Sequence, residues 1–541
     1  MTAEAPLRAA DLLARRLHEA GCRHAFGMPG GEVLTLVDAL ERAGIRFVLC
    51  HHETAAGFMA EGVWHRTGAP GILVATLGPG ALNGVNVVGN AAQDRVPLLL
   101  LTGCVDADEA LTYTHQVLDH QAVFRPLVKA GFRLSAAGAD TIADKAVAIA
   151  TEAQPGPVHI DVPISVADAP AAAVPLRRRV AASPVAPAPG PDLERARGWL
   201  AAAERPVLVA GLDALRDRAG PEIRALAERI GMPVVTSYKA KGLLPEDHPL
   251  ALGGAGLSPR ADAEILPLLA RADLVLCAGY DPIEMRTGWR EVWDPGRAAV
   301  IEIAAAPNHH YMHQAGVSFI GHTGAGLRAL AEGLAPRRSW PDGAVPALRA
   351  ALAAAFPADE AWGPAAVIAE CREVLPPETI ATADSGAHRI LLSQMWTCTE
   401  PGTLLQSSAL CTMACALPLA LGAKLAEPDR PVVCFTGDAG LLMGTGELAT
   451  AAALGLPVIV VVFADSSLSL IELKQRGRQM ANAGVDFPAP DFAAIARGFG
   501  GCGCSVTDRE SLRAALQNAL QEKRFSVISA QIDRRSYDGR I

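Results

Sequence analysis

Residues 437–467 read GDAGLLMGTGELATAAALGLPVIVVVFADSS, and this stretch decides the fold. It is apolar and rich in glycine, yet it carries two aspartates, each just after a hydrophobic run. Asp438 follows Pro431-Val-Val-Cys-Phe-Thr, and Asp465 follows Leu456-Pro-Val-Ile-Val-Val-Val-Phe-Ala. Both runs are short and rich in β-branched residues, as strands buried on both faces of a parallel sheet are. Between them, Glu447–Leu454 reads as a helix closed by Gly455. The result is a βαβ unit with a carboxylate at the C-terminal end of each strand, the edge at which open α/β sheets bind ligands.

The same alternation extends outward in both directions. Strand candidates are Phe47–Cys50, Gly71–Ala75 and Pro97–Leu101 in the first part, and Pro206–Ala210, Pro233–Thr236 and Leu274–Ala278 in the second. The third part adds Thr379–Thr382 and Ser526–Ser529 to the two runs above. An Ala/Pro-rich stretch over 167–192, with an arginine triplet at 177–179, reads as an extended linker, and a shorter break falls at 335–343. The expected fold class is therefore α/β, with three doubly wound parallel-sheet domains at 1–170, 190–335 and 345–541.

At 541 residues the chain is too long for one core. Half its residues are apolar, 19% are charged, and the net charge is −9 with no long basic run, which argues against nucleic acid as a partner. The cysteines number 11 and sit mostly inside apolar runs, which suggests a reducing compartment and core packing. Cys502 and Cys504 are close together but lack partners at zinc-ligand spacing. Met1–Leu17 has no signal-peptide core and reads as the start of an amphipathic helix. Apolar runs such as Val458–Ala464 fall far short of the ~20 residues a membrane span needs. These features predict a soluble, cytoplasmic protein with no membrane partner.

Asp438 and Asp465 lie 27 residues apart, enough for one crossover helix, so both carboxylates can reach one point. Two carboxylates that close repel unless a cation sits between them. Hard oxygen ligands without nearby His or Cys favour Mg²⁺ or Ca²⁺ over zinc. Gly437, Gly440, Gly444 and Gly446 let backbone approach a ligand, and a helix start near Gly446 would offer free N–H groups to an anion. Together these parts suit a metal-bridged diphosphate. Each aspartate taken alone would read as a helix cap or a turn residue.

The pattern resembles the thiamine diphosphate motif, GDG followed by about 25 residues and Asn. The resemblance implies that Asp438, Asp465 and the Ser467 carbonyl ligate Mg²⁺, with Gly437, Ala439, Gly440 and Leu468 beside the cofactor. Ala439 replaces the motif's second glycine, and Asp465 replaces its Asn, as in the catabolic acetolactate synthases that use no FAD. The family also has a glutamate after a strand in its first domain, and Phe47-Val-Leu-Cys-His-His-Glu53 supplies it. By this match Glu53 hydrogen-bonds N1′ of the aminopyrimidine and favours the imino form that removes the C2 proton. On its own, Glu53 would read as a first-turn acid favoured by the helix dipole.

Further matches follow in the family's domain order. Phe26-Gly-Met-Pro-Gly30-Gly31 is similar to the substrate-side glycine loop, and Thr76-Leu-Gly-Pro79-Gly80 to the TSGPG turn. His115-Gln116-Val-Leu-Asp119, continuing to Phe124–Lys129, resembles HQxxD…FxPxxK, which implies that Gln116 lies near the reacting carbonyl. Ser407–Pro418 resembles SNGxxTMGxALP, making Met413 the wedge between the two cofactor rings, and His388 matches a GxxH element near the cofactor. Gly279–Met285 is similar to GYSPVEY of the same enzymes.

The resemblance implies a thiamine diphosphate- and Mg²⁺-dependent enzyme of the acetolactate synthase type, with pyrimidine-binding, central and diphosphate-binding domains. Its substrates would be 2-oxo acids such as pyruvate, decarboxylated and ligated to a second carbonyl. The cofactor would lie between two subunits of a homodimer or homotetramer, and no FAD is expected. Plain 2-oxo acid decarboxylation and 2-hydroxyacyl-CoA cleavage are the enzymatic alternatives. A non-catalytic homologue is a third, against which the intact Glu53 argues. Lys474, standing where anabolic relatives have Trp and catabolic ones Gln, heads a cationic group with Arg476 and Arg478. That group reads as a solvated helix face or as a pocket for a second anionic group.

Overall fold

The structure is a computed structural model describing residues 7–173, 183–488 and 490–541. It contains three six-stranded sheets, and every strand pair in them is parallel. The first runs Arg46–Leu49, His24–Met28, Gly71–Ala75, Leu98–Cys104, Val158–Pro163, Ala130–Arg133. The second runs Val317–Ile320, Ala299–Ala304, Leu274–Ala278, Pro206–Ala210, Val234–Thr236, Ala251–Gly254. The third runs Leu404–Gln406, Ile380–Ala383, Val432–Gly437, Ile459–Ala464, Ser526–Gln531, Cys502–Val506. The first and third sheets share one connectivity, so both reverse direction between their first and third strands in chain order. Ligands bind at such reversal points.

The inner strands are buried along their whole length because helices cover both faces, which is why they read as unbroken apolar runs. One core cluster runs through both the first and third domains, joining Phe58 and Met59 to Leu419 and Leu421. Helices Glu53–Thr67 and Ala416–Ala426 cross there with their backbones in contact. A Cβ at Gly62 would lie 2.4 Å from the Leu419 carbonyl oxygen, and one at Gly422 2.1 Å from that of Met59. The second sheet has its own core, which also takes Val345 and Leu348 of helix Ala344–Ala355.

The structure adds detail to two sequence readings. The glycine-rich 437–446 segment is largely the helix Asp438–Gly444. Gly446 caps the next helix, Glu447–Leu454, as expected: its carbonyl accepts the Ala449 N–H, and a Cβ there would lie 3.2 Å from that of His51. A further helix start, directly at a strand end, is at Asp438. Of the 167–192 stretch, helix Ile164–Asp168 enters it and helix Pro191–Ala202 leaves it, and the arginine triplet lies outside the described residues.

Candidate active site

Four adjacent strand ends of the third sheet carry the C-terminal half of the site. Asp438 begins its helix directly after Val432–Gly437, and Asp465 follows Ile459–Ala464. One Asp438 oxygen accepts the N–H groups of Asp465 at 3.1 Å and Ser466 at 2.7 Å, and the other accepts that of Ala439 at 2.8 Å. Asp465 accepts the Ser467 N–H at 3.1 Å and the Ser469 hydroxyl at 2.6 Å. Leu468 continues the turn, its N–H on the Val485 carbonyl. Burial pushes Asp465 up to about 7, with the Ser469 hydrogen bond acting against it and the Asp438 charge adding to it. Burial raises Asp438 as well, against its three backbone donors. Such a pair is stabilised by a cation.

His388 lies in helix Ala387–Met395, stacked on Phe463 at 5.1 Å between ring centroids. A Cβ at Gly437 would approach its Cε1 to 3.4 Å. Burial, then the Arg389 charge, depresses His388 to about 3, so the ring is neutral. Its Nε2 and the Ser385 hydroxyl are buried without a hydrogen-bond partner. Unpaired polar atoms of this kind can be satisfied by a ligand. At Gly440 a Cβ would fall 2.1 Å from Asp384 Oδ2, so only glycine lets the helix start come this close. Half-buried Met413 sits in the loop between strand Leu404–Gln406 and helix Ala416–Ala426.

The N-terminal half occupies the matching edge of the first sheet. Glu53 opens its helix after strand Arg46–Leu49, is 4% exposed, and accepts the Asn83 side-chain N–H at 3.0 Å. A Cβ at Gly80 would lie 3.1 Å from its Oε1, and one at Gly30 would lie 2.2 Å from the Thr76 hydroxyl. Pro79 begins helix Pro79–Asn83 beside them. Gln116 stands on an exposed turn at φ 56, and a Cβ at Gly78 would lie 3.2 Å from that of Gln116. Gly31 is exposed with open space around it. Each half thus collects its expected residues at one sheet edge. Among the described residues, no hydrogen bond joins Glu53 to Asp438, Asp465 or Met413 of the same chain.

Several supporting residues escaped the sequence reading. Asp384 accepts the N–H groups of Ala414 at 2.9 Å and Cys415 at 3.2 Å and the Thr436 hydroxyl at 3.0 Å, fixing the end of the Met413 loop. It directly follows strand Ile380–Ala383, the same signal that marked Asp438 and Asp465. In the first domain, His120 Nδ1 bonds Asp161 at 3.0 Å, leaving Nε2 to accept the Gly78 N–H at 3.1 Å. Burial would raise Asp161, but hydrogen bonds from His120 and His159 hold it well below the usual carboxylate range. No local pattern announces that pair, because 41 residues separate its members.

Comparison with known proteins identifies the architecture. The thiamine pyrophosphate enzyme N-terminal TPP-binding domain matches residues 7–123, the central domain 193–330, and the C-terminal TPP-binding domain 384–530. Acetolactate synthase of Bacillus subtilis is 30% identical over 97% of this chain and 93% of its own length. The chain belongs to the thiamine pyrophosphate enzyme family. Among other relatives, the acetolactate synthase large subunit of Parasynechococcus marenigrum is 32% identical over 99% of this chain and 89% of its own. A protein named probable 2-ketoarginine decarboxylase, from Pseudomonas aeruginosa, is 32% identical over 95% of this chain and 91% of its own.

As a thiamine pyrophosphate enzyme the chain uses thiamine diphosphate with a divalent metal, usually Mg²⁺. The residues fit that group. Among the described residues no cluster of three His, Cys, Asp or Glu side chains could hold a metal unaided. A pair of carboxylates needs further oxygens, such as a backbone carbonyl and a diphosphate. No helix among the described residues is long and apolar enough to cross a membrane.

Proposed function

We propose that this enzyme decarboxylates a 2-oxo acid, pyruvate first among them, and ligates the retained fragment to a second carbonyl, as an acetolactate synthase does. The observation that carries the reading is the pairing of Glu53 at one sheet edge with the Asp438/Asp465 pair at the equivalent edge of the third sheet. Full-length similarity to acetolactate synthases supports it. Bound thiamine diphosphate supplies the carbon nucleophile and electron sink for the decarboxylation.

The chain's own residues do the rest. Asp438, Asp465 and the Ser467 carbonyl hold Mg²⁺ and through it the diphosphate. His388 and the Ser385 hydroxyl, both lacking partners, line that pocket. Gly437, Ala439, Gly440 and Leu468 give it a close backbone wall, and Met413 sets the shape in which the cofactor is bound. Glu53, oriented by Asn83, shares a proton with the aminopyrimidine nitrogen. Gly30, Gly31 and Pro79 form the opposing wall, and Gln116 faces the reacting carbonyl. Among the described residues no hydrogen bond joins Glu53 to the aspartate pair of the same chain, and large apolar side chains are exposed beside both half-sites: Leu49 and Leu82 near Glu53, Leu442 and Met443 after Asp438. A homo-oligomer, at least a dimer, unites the halves of different copies.

A second reading is decarboxylation with release of an aldehyde. The relative named for 2-ketoarginine supports it, as does Lys474, which is exposed where the family's ligating members carry Trp or Gln. Product analysis by NMR separates the two. Purified protein with thiamine diphosphate and Mg²⁺ is given pyruvate and a panel of 2-oxo acids. Acetolactate from pyruvate supports ligation; aldehyde alone supports the second reading; no turnover of any 2-oxo acid contradicts both.

A further inference from the structure

Outside the two half-sites, a cluster of buried charge lies where all three domains meet. The central domain contributes Lys239, from the turn Tyr238–Ala240; the first contributes Glu61, His65, Asn90 and Asp94. Lys239 Nζ lies 2.7 Å from Asp94 and 3.7 Å from Glu61. Glu61 also bonds His65 at 3.2 Å and the Asn90 side-chain N–H at 3.1 Å. Burying this many ionisable groups is costly unless each is paired, so the cluster needs a reason.

Its far end supplies one. The two Asp94 oxygens accept the N–H groups of Ser408 at 2.9 Å and Ala409 at 2.8 Å. The Ser407 hydroxyl donates to Asn90 at 2.6 Å and accepts the Thr412 N–H at 2.9 Å. These residues open the loop whose other end Asp384 holds at Ala414 and Cys415. Met413 sits between the two clamps. Cys411 and Ala414 stand at φ 56 and 64, conformations a side chain adopts only when its surroundings impose them.

We propose that Lys239 is a positioning residue for the cofactor loop 407–415, acting from the central domain through Asp94. The ammonium, 2.7 Å from the carboxylate, holds Asp94 in orientation, so that both carboxylate oxygens remain available to the loop's backbone. The link to the cofactor rests on the role given to Met413 above; the anchoring of the loop does not. The central domain, which supplies none of the cofactor residues proposed above, thereby sets the geometry of one wall of the site.

Amide hydrogen exchange of peptide 407–415 in the cofactor-free protein tests the anchoring, and thiamine diphosphate titration with steady-state kinetics tests its consequence. Lys239→Met is expected to speed exchange of that peptide about tenfold and to weaken thiamine diphosphate binding about tenfold, with KM for the 2-oxo acid changed less than about twofold. Lys239→Arg keeps the charge and is expected to restore the protection. Should Lys239→Met fail to fold, Lys239→Met/Asp94→Asn restores charge balance and is expected to show the same loss of protection. Wild-type exchange of 407–415 in the charge-removed variants would overturn the proposal, as would lost protection with wild-type thiamine diphosphate affinity. Failure of the wild-type chain to bind thiamine diphosphate would count against the functional reading, and exchange would still decide the anchoring.

Discussion

Glu53 and the two aspartates have separable tasks, and substitutions should separate them. Glu53 is buried, held by Asn83 on one oxygen and given room at the other by the missing side chain of Gly80. Glu53→Gln keeps the shape and removes the transferable proton. It is expected to lower kcat by about 10²–10⁴-fold while thiamine diphosphate affinity stays within about threefold. Steady-state rates and a binding titration check this, and full turnover in the variant would refute the role given to Glu53. Asp438→Asn keeps an acceptor for only part of the Ser466, Asp465 and Ala439 donor set and halves the pair's charge. It is expected to abolish Mg²⁺-dependent binding of thiamine diphosphate. In the wild type, chelation should remove the cofactor and added Mg²⁺ should restore it, as followed by equilibrium dialysis.

At the scale of elements, close backbone approach decides most of what surrounds the site. Helix Glu53–Thr67 carries the proposed catalytic acid at its start and Gly62 at its crossing with helix Ala416–Ala426, which leads out of the Met413 loop. Gly422→Ala would push a methyl into the Met59 carbonyl, an overpacking cost of about 1–3 kcal/mol. Calorimetry should show a lower Tm, and an unchanged Tm would mean the crossing can relax. The strands were legible in the sequence because they are buried on both faces: Gly71–Ala75, Pro206–Ala210 and Leu274–Ala278 match their reading residue for residue. The helix Asp438–Gly444 was not, because three glycines in and beside it argue for a loop until packing against the strand ends overrides propensity.

For the whole molecule, the order of domains and the placement of acids at the strand ends could be read from sequence: Asp438 and Asp465 directly follow their strands, and Glu53 opens the helix after Arg46–Leu49. The junction could not. Lys239, Asp94 and Ser408 lie far apart in the chain, and each alone reads as an ordinary surface residue. The central claim is that one site is assembled from two copies. Co-expressing Glu53→Gln and Asp438→Asn chains with different tags, and purifying through both, isolates mixed oligomers. In a mixed dimer one site carries both substitutions and the other carries neither. The account predicts that each variant alone is inactive and that the mixed dimer recovers about half of wild-type turnover per site. No recovery in the mixed dimer, with both variants folded and associated, would contradict it, because a site built within one chain would always contain one of the two substitutions.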